Sequence, residues 1–271
     1  MAPSDQQQRL AGAIFDIDGV LVDSPHERAW GESLRQLMET DWRELRPATG
    51  YTPERFTYTF YQETMAGRPR LAGARAALEA LGVPEAERRA TEYAERKQRR
   101  VVELIAAGEF HAYPDALRFL LAVKRIGLRI ASASSSRNVR PMLERIRLDV
   151  FAAEQGLDAS TVPEGLTLMD AFDADVTGRD FARGKPDPMI FLAAAAELRL
   201  DAGSCVVIED APAGIEAAKA GGMAALALAR QHDASMLREA GADLVVGSLD
   251  EVATDALANG RLERRGRGGS R

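Results

Sequence analysis

The sequence predicts an α/β fold, in which a parallel β-sheet is covered by helices on both faces and an all-helical segment is inserted after the first strand. Two observations predict this fold. From residue 113 onward, short apolar runs alternate with segments of helical periodicity, as in a parallel sheet with helical crossovers. Between residues 25 and 111, apolar residues recur at helical spacing and strand signals are few.

The individual elements follow from the apolar periodicity, taken in chain order. The first strand is the apolar run that begins at Ala13 and ends in Asp16-Ile17-Asp18-Gly19. Helices are predicted at 26–38, 75–81, 85–105, 113–127, 138–146, 188–198 and 213–220. Later strands are predicted at 128–133, 172–176, 205–208, 225–229 and 244–246. The segment 154–183 is interpreted as an extra hairpin or a functional loop, and the arginine-rich tail at 260–271 as a solvated or disordered end.

Length and charge narrow the class of protein. A chain of 271 residues accommodates one large core, or a core domain with a smaller second domain. Its net charge of −6 provides no basic field for nucleic acid or anionic lipid. The polar N-terminus lacks a signal-peptide core, and no apolar run approaches the roughly 20 residues of a membrane span. We therefore expect a cytoplasmic protein without nucleic-acid or membrane partners, as a monomer or a weak homodimer. The single cysteine, Cys205, is expected to be a buried structural thiol.

Two aspartates end the first predicted strand. Because side chains alternate along a strand, Asp16 and Asp18 leave the sheet on the same side, at the carboxyl end where α/β proteins bind ligands. Two neighbouring carboxylates repel each other and lose hydration, so a cation is expected between them. Taken alone, the motif fits a solvated acidic turn equally well. An EF-hand calcium loop fits less well, because it needs glycine at its sixth position and glutamate at its twelfth.

Three other predicted strand ends carry unusual polar residues. The run Ser132-Ala133-Ser134-Ser135-Ser136-Arg137-Asn138 precedes a predicted helix, where hydroxyls usually cap the helix but also bind oxyanions. Lys185-Pro186 is not part of a Walker loop, because the glycine spacing differs and Pro186 stands where Ser or Thr is required. Glu209-Asp210 ends a strongly apolar strand, and burial of two unpaired acids there is unfavourable unless a cation compensates.

The order of these signals is more specific than any one of them. In a parallel sheet the four strand ends share one edge, which brings Asp-x-Asp, serine, lysine and Glu-Asp together. Carboxylates are the hard oxygen ligands that Mg²⁺ prefers, and a hydroxyl with a lysine suits a phosphoryl group. The sequence therefore predicts a magnesium-assisted phosphoryl-transfer site.

With these residues the chain resembles the haloacid dehalogenase superfamily of phosphotransferases. Its four motifs match Phe15-Asp16-Ile17-Asp18-Gly19-Val20, Ser134, Lys185-Pro186 and Glu209-Asp210. The subgroup it is most similar to is β-phosphoglucomutase-like, on the stretches 67–70, 133–138 and 183–188. The resemblance implies a Rossmann-like doubly wound parallel sheet core, formed by residues 1–24 and 112–271, with an inserted all-helical cap domain of C1 type at 25–111.

The resemblance also implies a role for each matched residue. Asp16 would be the nucleophile that forms an aspartyl-phosphate, and Asp18 the general acid and base. Mg²⁺ would be held by Asp16, the Asp18 backbone carbonyl, Asp210 and Glu209. The phosphoryl group would be bound by Ser134, Ser135 and Lys185. The residues implied to face the substrate, from the cap and from the core opposite, are His26, Arg70, Lys97, Ser136 and Asn138.

Three functions stay open at this point. The leading interpretation is a Mg²⁺-dependent phosphatase that acts on a small phosphorylated sugar or similar metabolite. The alternative is a β-phosphoglucomutase-like phosphosugar mutase, which differs in whether water or a second hydroxyl accepts the phosphoryl group. A third reading, a non-catalytic sugar-phosphate-binding protein, is disfavoured because such a protein has no need of Asp18.

Overall fold

A computed structural model describes residues 9–157, 162–231 and 233–266 of the chain. The strands are β1 (Gly12–Phe15), β2 (Val22–Asp23), β3 (His111–Ala112), β4 (Arg129–Ser132), β5 (Ala174–Asp175), β6 (Cys205–Glu209), β7 (Ala224–Leu228) and β8 (Leu244–Val246). The helices are α1 (His26–Glu39), α2 (Tyr58–Thr64), α3 (Arg70–Ala80), α4 (Ala86–Ala106), α5 (Pro114–Arg125), α6 (Arg140–Leu143), α7 (Leu148–Glu154), α8 (Met189–Glu197), α9 (Pro212–Ala220), α10 (Ala234–Glu239) and α11 (Thr254–Ala258).

Within these ranges the main sheet has six strands in the order β5-β4-β1-β6-β7-β8, and every neighbouring pair is parallel. The strand that carries the first acidic motif, β1, lies between β4 and β6. All strands therefore end at the same edge, and the predicted doubly wound parallel sheet is confirmed. The motifs that follow β1, β4 and β6 meet at the centre of that edge.

Both faces of the sheet are covered, which explains the continuous apolar runs of its strands. Alternate residues of β1 pack into opposite clusters, Phe15 with α5 on one face and Ile14 with α8 and α9 on the other. Cys205 of β6 is fully buried, as predicted, and burial raises the pKa of its thiol to about 11. No helix in the described ranges is both long and apolar enough to cross a membrane.

The inserted segment carries α1 to α4, which surround a core of their own. Trp30 and Tyr93 stack edge to face there with ring centroids 4.7 Å apart, and the Tyr93 hydroxyl donates to the Trp30 carbonyl at 3.0 Å. The chain enters this segment through β2 and returns through β3, and these two strands pair antiparallel. We retain 25–111 as the proposed extent of the cap domain.

Two of the predicted helices differ from their predicted bounds by more than two residues. The helix predicted at 75–81 begins at Arg70, directly after Pro69, because the fixed φ of a proline suits a helix start. The helix predicted at 138–146 contracts to α6. Before α6, the Ser134 and Ser136 hydroxyls accept hydrogen bonds from the backbone amides of Ser136 and Asn138, both at 3.1 Å. These turns compete with helical hydrogen bonding.

The two least regular segments are partly described. In 154–183 the described residues contain no extra hairpin, and residues 158–161 lie outside them. The strand predicted at 172–176 is the short edge strand β5. In the tail, Arg264 pairs with Val252 and the Arg265 amide donates to the Glu251 carbonyl at 2.6 Å, so the described part of the tail contacts the core.

Arg230, just after β7, contacts both the place where the chain leaves the core and the place where it re-enters. Its Nε donates to the Gly19 carbonyl at 3.0 Å and its Nη2 to the Val20 carbonyl at 3.1 Å, both in the turn after β1. Its guanidinium lies 3.6 Å from the centroid of the Tyr113 ring, where the chain returns from the inserted segment. One side chain thus fixes both linkers.

Asp115 holds that guanidinium in place. It accepts from Arg230 through both oxygens, at 3.2 and 3.3 Å, so the pair is bidentate. The same carboxylate accepts from the Ser248 hydroxyl and the Leu249 amide, each at 2.9 Å. The anchor of the linkers is therefore itself fixed from a third part of the core.

We predict that Arg230→Gln lowers the free energy of unfolding by about 2 kcal/mol, because charge-assisted bonds to Asp115 and to two carbonyls are lost together. Urea unfolding followed by circular dichroism measures this change. Arg118→Gln is the matched control, since it removes an exposed arginine–carboxylate pair with Asp250 and should cost no more than about 1 kcal/mol. Equal losses in the two variants would contradict the anchoring role of Arg230.

Candidate active site

The carboxyl edge of the sheet and the inserted helices enclose a cavity of about 350 Å³. Every residue that the sequence assigned to the site lines this cavity. They are Asp16, Asp18, His26, Arg70, Lys97, Ser134, Ser135, Ser136, Asn138, Lys185, Glu209 and Asp210. The structure brings these residues together around one cavity, and their assignment to the site stays a prediction.

Three carboxylates form a cluster at the floor of the cavity. One oxygen from each of Asp16, Glu209 and Asp210 lies within 4.8 Å of the others. Two glycines make room for it. A Cβ atom on Gly19, which has a φ of +87°, would lie 1.9 Å from Asp210 Oδ2, and a Cβ on Gly214 would lie 1.7 Å from Glu209 Oε1. Any larger residue at either position would displace a carboxylate.

Lys185 compensates part of this buried charge. Its Nζ lies 2.6 Å from both Asp16 Oδ1 and Glu209 Oε1. Burial lowers the pKa of Lys185, but the two carboxylates outweigh burial and raise that pKa above its ordinary value. Burial raises the pKa of Asp16 to about 7 against the opposing effect of Lys185. Burial, with Glu209 and Asp16 nearby, also raises the pKa of Asp210.

This donor set fits Mg²⁺. Three carboxylates provide hard oxygen ligands, and one ammonium balances only part of their charge. Because Gly19 has no Cβ, the Asp210 carboxylate can lie close to the other two carboxylates. A divalent cation would offset the burial and the mutual repulsion that together raise the pKa values of Asp16 and Asp210.

The Asp18 side chain lies outside this cluster, and the ligand predicted from Asp18 is its backbone carbonyl, which stays a prediction. Its Oδ2 accepts from the Ser134 hydroxyl at 3.0 Å, and its Oδ1 lies 3.3 Å from His26 Nε2. The two aspartates of the first motif therefore face different partners. Asp16 faces Lys185, whereas Asp18 faces the serine run and the inserted helices.

His26 links a lysine to the serine run. Lys97 Nζ lies 3.1 Å from His26 Nδ1, and His26 Nε2 lies 3.0 Å from the Ser136 hydroxyl. Because a protonated lysine only donates, Nδ1 accepts and the ring proton lies on Nε2. Burial, with Lys97 nearby, lowers the pKa of His26 to about 4, so the ring is neutral at pH 7. Burial also lowers the pKa of Lys97 to about 7.

Arg70 and Asn138 meet through a glutamine that the sequence analysis did not single out. Gln98 Nε2 donates to Asn138 Oδ1 at 2.8 Å, and Gln98 Oε1 accepts from Arg70. Gln98 follows Lys97 on α4, so its position next to a predicted site residue was a usable signal. Arg179 and Asp180, from the irregular segment 154–183, also line the cavity. No periodicity in that segment marks them.

Comparisons with known proteins agree with this geometry. The sequence model of the haloacid dehalogenase-like hydrolases matches residues 10–222. The β-phosphoglucomutase of Bacillus subtilis is 31% identical over 251 residues, covering 92% of this chain and 94% of that protein. The phosphorylated carbohydrates phosphatase of Thermotoga maritima is 28% identical over 240 residues, covering 88% of this chain and 94% of that protein.

A solved structure is similar over nearly the same extent. The archaeal β-phosphoglucomutase of Pyrococcus sp. strain ST 04 has a TM-score of 0.66 and 30% identity, and covers 92% of this chain and 99% of its own. The family match, the parallel sheet and the four motifs at one edge agree with one another. The chain belongs to the haloacid dehalogenase-like hydrolases, in the subgroup that resembles β-phosphoglucomutase.

Proposed function

We propose that this protein is a Mg²⁺-dependent phosphatase that acts on a small phosphorylated sugar or similar metabolite through an aspartyl-phosphate on Asp16. The observation that supports it most directly is the convergence of Asp16, Lys185, Ser134 and the Glu209-Asp210 pair on one cavity under the helical segment. Relatives named as sugar phosphatases and as β-phosphoglucomutases agree with phosphoryl transfer.

Asp16 is suited to attack phosphorus because an ionised carboxylate needs no base to activate it. Its Oδ1 is held by Lys185 at 2.6 Å, which fixes its direction at the cavity floor. Mg²⁺, held by Asp16, Glu209, Asp210 and the Asp18 backbone carbonyl, would neutralise the charge of the phosphate that approaches. Lys185, with the Ser134 hydroxyl and Ser135, stabilises the transferring oxygens.

Asp18 serves as the general acid and then as the base. It lies at the cavity wall between Ser134 and His26, so its proton can reach a leaving oxygen above Asp16. After transfer, the same carboxylate takes a proton from the attacking water. In this arrangement the Ser134 hydroxyl must turn from Asp18 to bind the phosphoryl group, and His26 remains as the partner of Asp18.

The helical segment selects the substrate. Arg70, Lys97 and His26 face the core residues Ser136 and Asn138 across the cavity, and Gln98 joins the two sides. These groups suit the hydroxyls of a sugar and a second anionic group. A cap in this position also excludes water from the cavity when it closes.

The alternative function is a phosphosugar mutase. Arg70, Lys97 and Asn138 in the cavity, together with the β-phosphoglucomutases among the relatives, favour it. The long irregular segment 154–183, which brings Arg179 and Asp180 to the cavity, is the feature that favours hydrolysis. The cytoplasmic location and the monomeric or weakly dimeric state stay predictions.

A panel of phosphorylated metabolites that includes β-glucose 1-phosphate separates the functions, with Mg²⁺ and with EDTA. We expect Mg²⁺-dependent release of inorganic phosphate from at least one sugar phosphate. Formation of glucose 6-phosphate without phosphate release would establish the mutase instead. Absence of turnover on the whole panel would favour a non-catalytic binding protein.

Asp16→Asn should lower kcat by at least about a thousand-fold, because an amide is a poor nucleophile. The expected result is loss of phosphate release with little change in the unfolding temperature. Asp41→Asn, an exposed aspartate in the inserted segment, is the matched control and should keep full activity. Substantial activity in Asp16→Asn would refute the proposed nucleophile.

Binding of Mg²⁺ should strengthen as pH rises from 5.5 to 8. Below a pKa of about 7, Asp16 holds a proton that the metal must displace, so the dissociation constant should fall by up to about ten-fold per pH unit as pH rises.

The stability of the metal-free protein should change with pH in the opposite direction to its Mg²⁺ affinity. Because the pKa of folded Asp16 is raised from 3.8, this group's contribution to stability is lost as pH rises through about 7. Calorimetric Mg²⁺ titrations and melting curves measure both trends, and a pH-independent affinity would contradict the assignment.

A further inference from the structure

Helix α2 of the inserted segment reaches the metal-binding side of the core through two polar side chains. Gln62 Nε2 donates to the Tyr58 oxygen at 2.7 Å and lies 3.5 Å from Asp210 Oδ2. The Tyr58 hydroxyl donates to Asp233 Oδ2 at 3.0 Å. A chain of hydrogen bonds therefore runs from one core carboxylate, Asp233, through two residues of α2 to another, Asp210.

The direction of these bonds sets the orientation of the Gln62 amide. Tyr58 has one hydroxyl hydrogen, which it gives to Asp233, so its oxygen must accept from Gln62. An ionised Asp210 also only accepts. The NH₂ group of Gln62 therefore donates one hydrogen to the Tyr58 oxygen and directs the other at Asp210 Oδ2.

The other end of the amide is left without a partner. Gln62 is 4% exposed, and its Oε1 is buried and accepts no hydrogen bond among the described residues. An unsatisfied buried acceptor is unfavourable by about 1 to 3 kcal/mol. Gln62 and Asp210 line the same small cavity, together with Asp18 and Gly19. This cavity shares Asp210 with the acidic cluster, and Lys185 is not among its lining residues.

We propose that Gln62 is a positioning residue for the metal centre, which orients Asp210 from α2 and accepts a hydrogen bond from a water ligand of the metal. The inference rests on the proposed Mg²⁺ site. Its consequence is that docking of α2 on the core and binding of Mg²⁺ stabilise each other. Because coupling between two binding events is reciprocal, each should strengthen the other by the same factor.

The geometry explains why a partner for Asp210 would matter. Asp210 Oδ2 is confined on one side by Gly19, where a Cβ would approach to 1.9 Å. Gln62 Nε2 contacts the same oxygen at 3.5 Å. Partners that orient a metal ligand typically change metal affinity by about 10-fold to 100-fold. Mg²⁺ also keeps several of its waters in protein sites, and these are donors for an acceptor such as Gln62 Oε1.

The decisive experiment is calorimetric titration of the full-length protein with Mg²⁺ in the absence of substrate. Gln62→Met keeps the length of the side chain and removes both ends of the amide. We expect its Mg²⁺ dissociation constant to be about ten-fold weaker than that of the wild type. Tyr58→Phe keeps the ring and cuts the link to Asp233, and we expect a smaller loss in the same direction. An unchanged affinity in both variants would overturn the proposal.

Hydrogen exchange provides a second readout that does not depend on activity. In the wild type, Mg²⁺ should slow exchange of the amides in α2, and Gln62→Met should lose this protection. Gln36→Met, the same change on the exposed face of α1, is the matched control and should behave as the wild type in both measurements. If Gln62→Met fails to fold, Tyr58→Phe decides the question alone.

Asp210→Asn separates failure of this inference from failure of the metal site. If Mg²⁺ binding depends on Asp210 but not on Gln62 or Tyr58, the coupling is wrong and the metal site stands. If Asp210→Asn binds Mg²⁺ as well as the wild type does, the proposed metal site is wrong and the inference fails with it.

Discussion

Buried negative charge at the carboxyl edge of the sheet is the constraint on which this structure depends. Asp16, Glu209 and Asp210 approach one another closely enough to share a cation, and folding must remove them from water to do so. Lys185 offsets part of their charge, and the close packing against Gly19 and other small residues leaves the carboxylates little freedom to move apart. Because these carboxylates repel one another, the cluster favours the binding of a cation, which could in turn attract a phosphate.

Two regions of the chain, the core and the inserted helices, line the cavity. In the proposed mechanism the reacting groups belong to the core, at the ends of the central strands β1, β4 and β6 and, for Lys185, in the loop before α8. The inserted helices and the irregular segment that contains Arg179 supply other side chains that line the cavity. Under this proposal, chemistry and recognition depend on different parts of the chain.

The edge of the sheet could be predicted from the sequence because parallel strands place their ends together whatever the loops do. Asp16 and Asp210 needed only that rule, whereas Lys185 lies in the loop between β5 and α8 and not at a strand end. The partner of Asp18 could not be predicted, because the turn after β1 directs its carboxylate toward Ser134 and away from the acidic cluster. The contact between Gln62 and Asp210 could not be predicted either, because it depends on how α2 packs against the core. Gln62 does stand four residues after Tyr58, so the two residues share one face of α2, and this spacing was a signal.

The central position of β1 has a consequence for how the enzyme can lose its geometry. The strand is hydrogen-bonded on both sides, and its residues are buried on both faces. Separating Asp16 from Glu209 at the end of β6 would require opening the centre of the sheet, which in most proteins happens only on global unfolding. The inserted helices are joined to the core through β2 and β3, which form a separate two-stranded sheet. Movement of these helices therefore does not require the main sheet to open, and the acidic cluster would keep its relative positions.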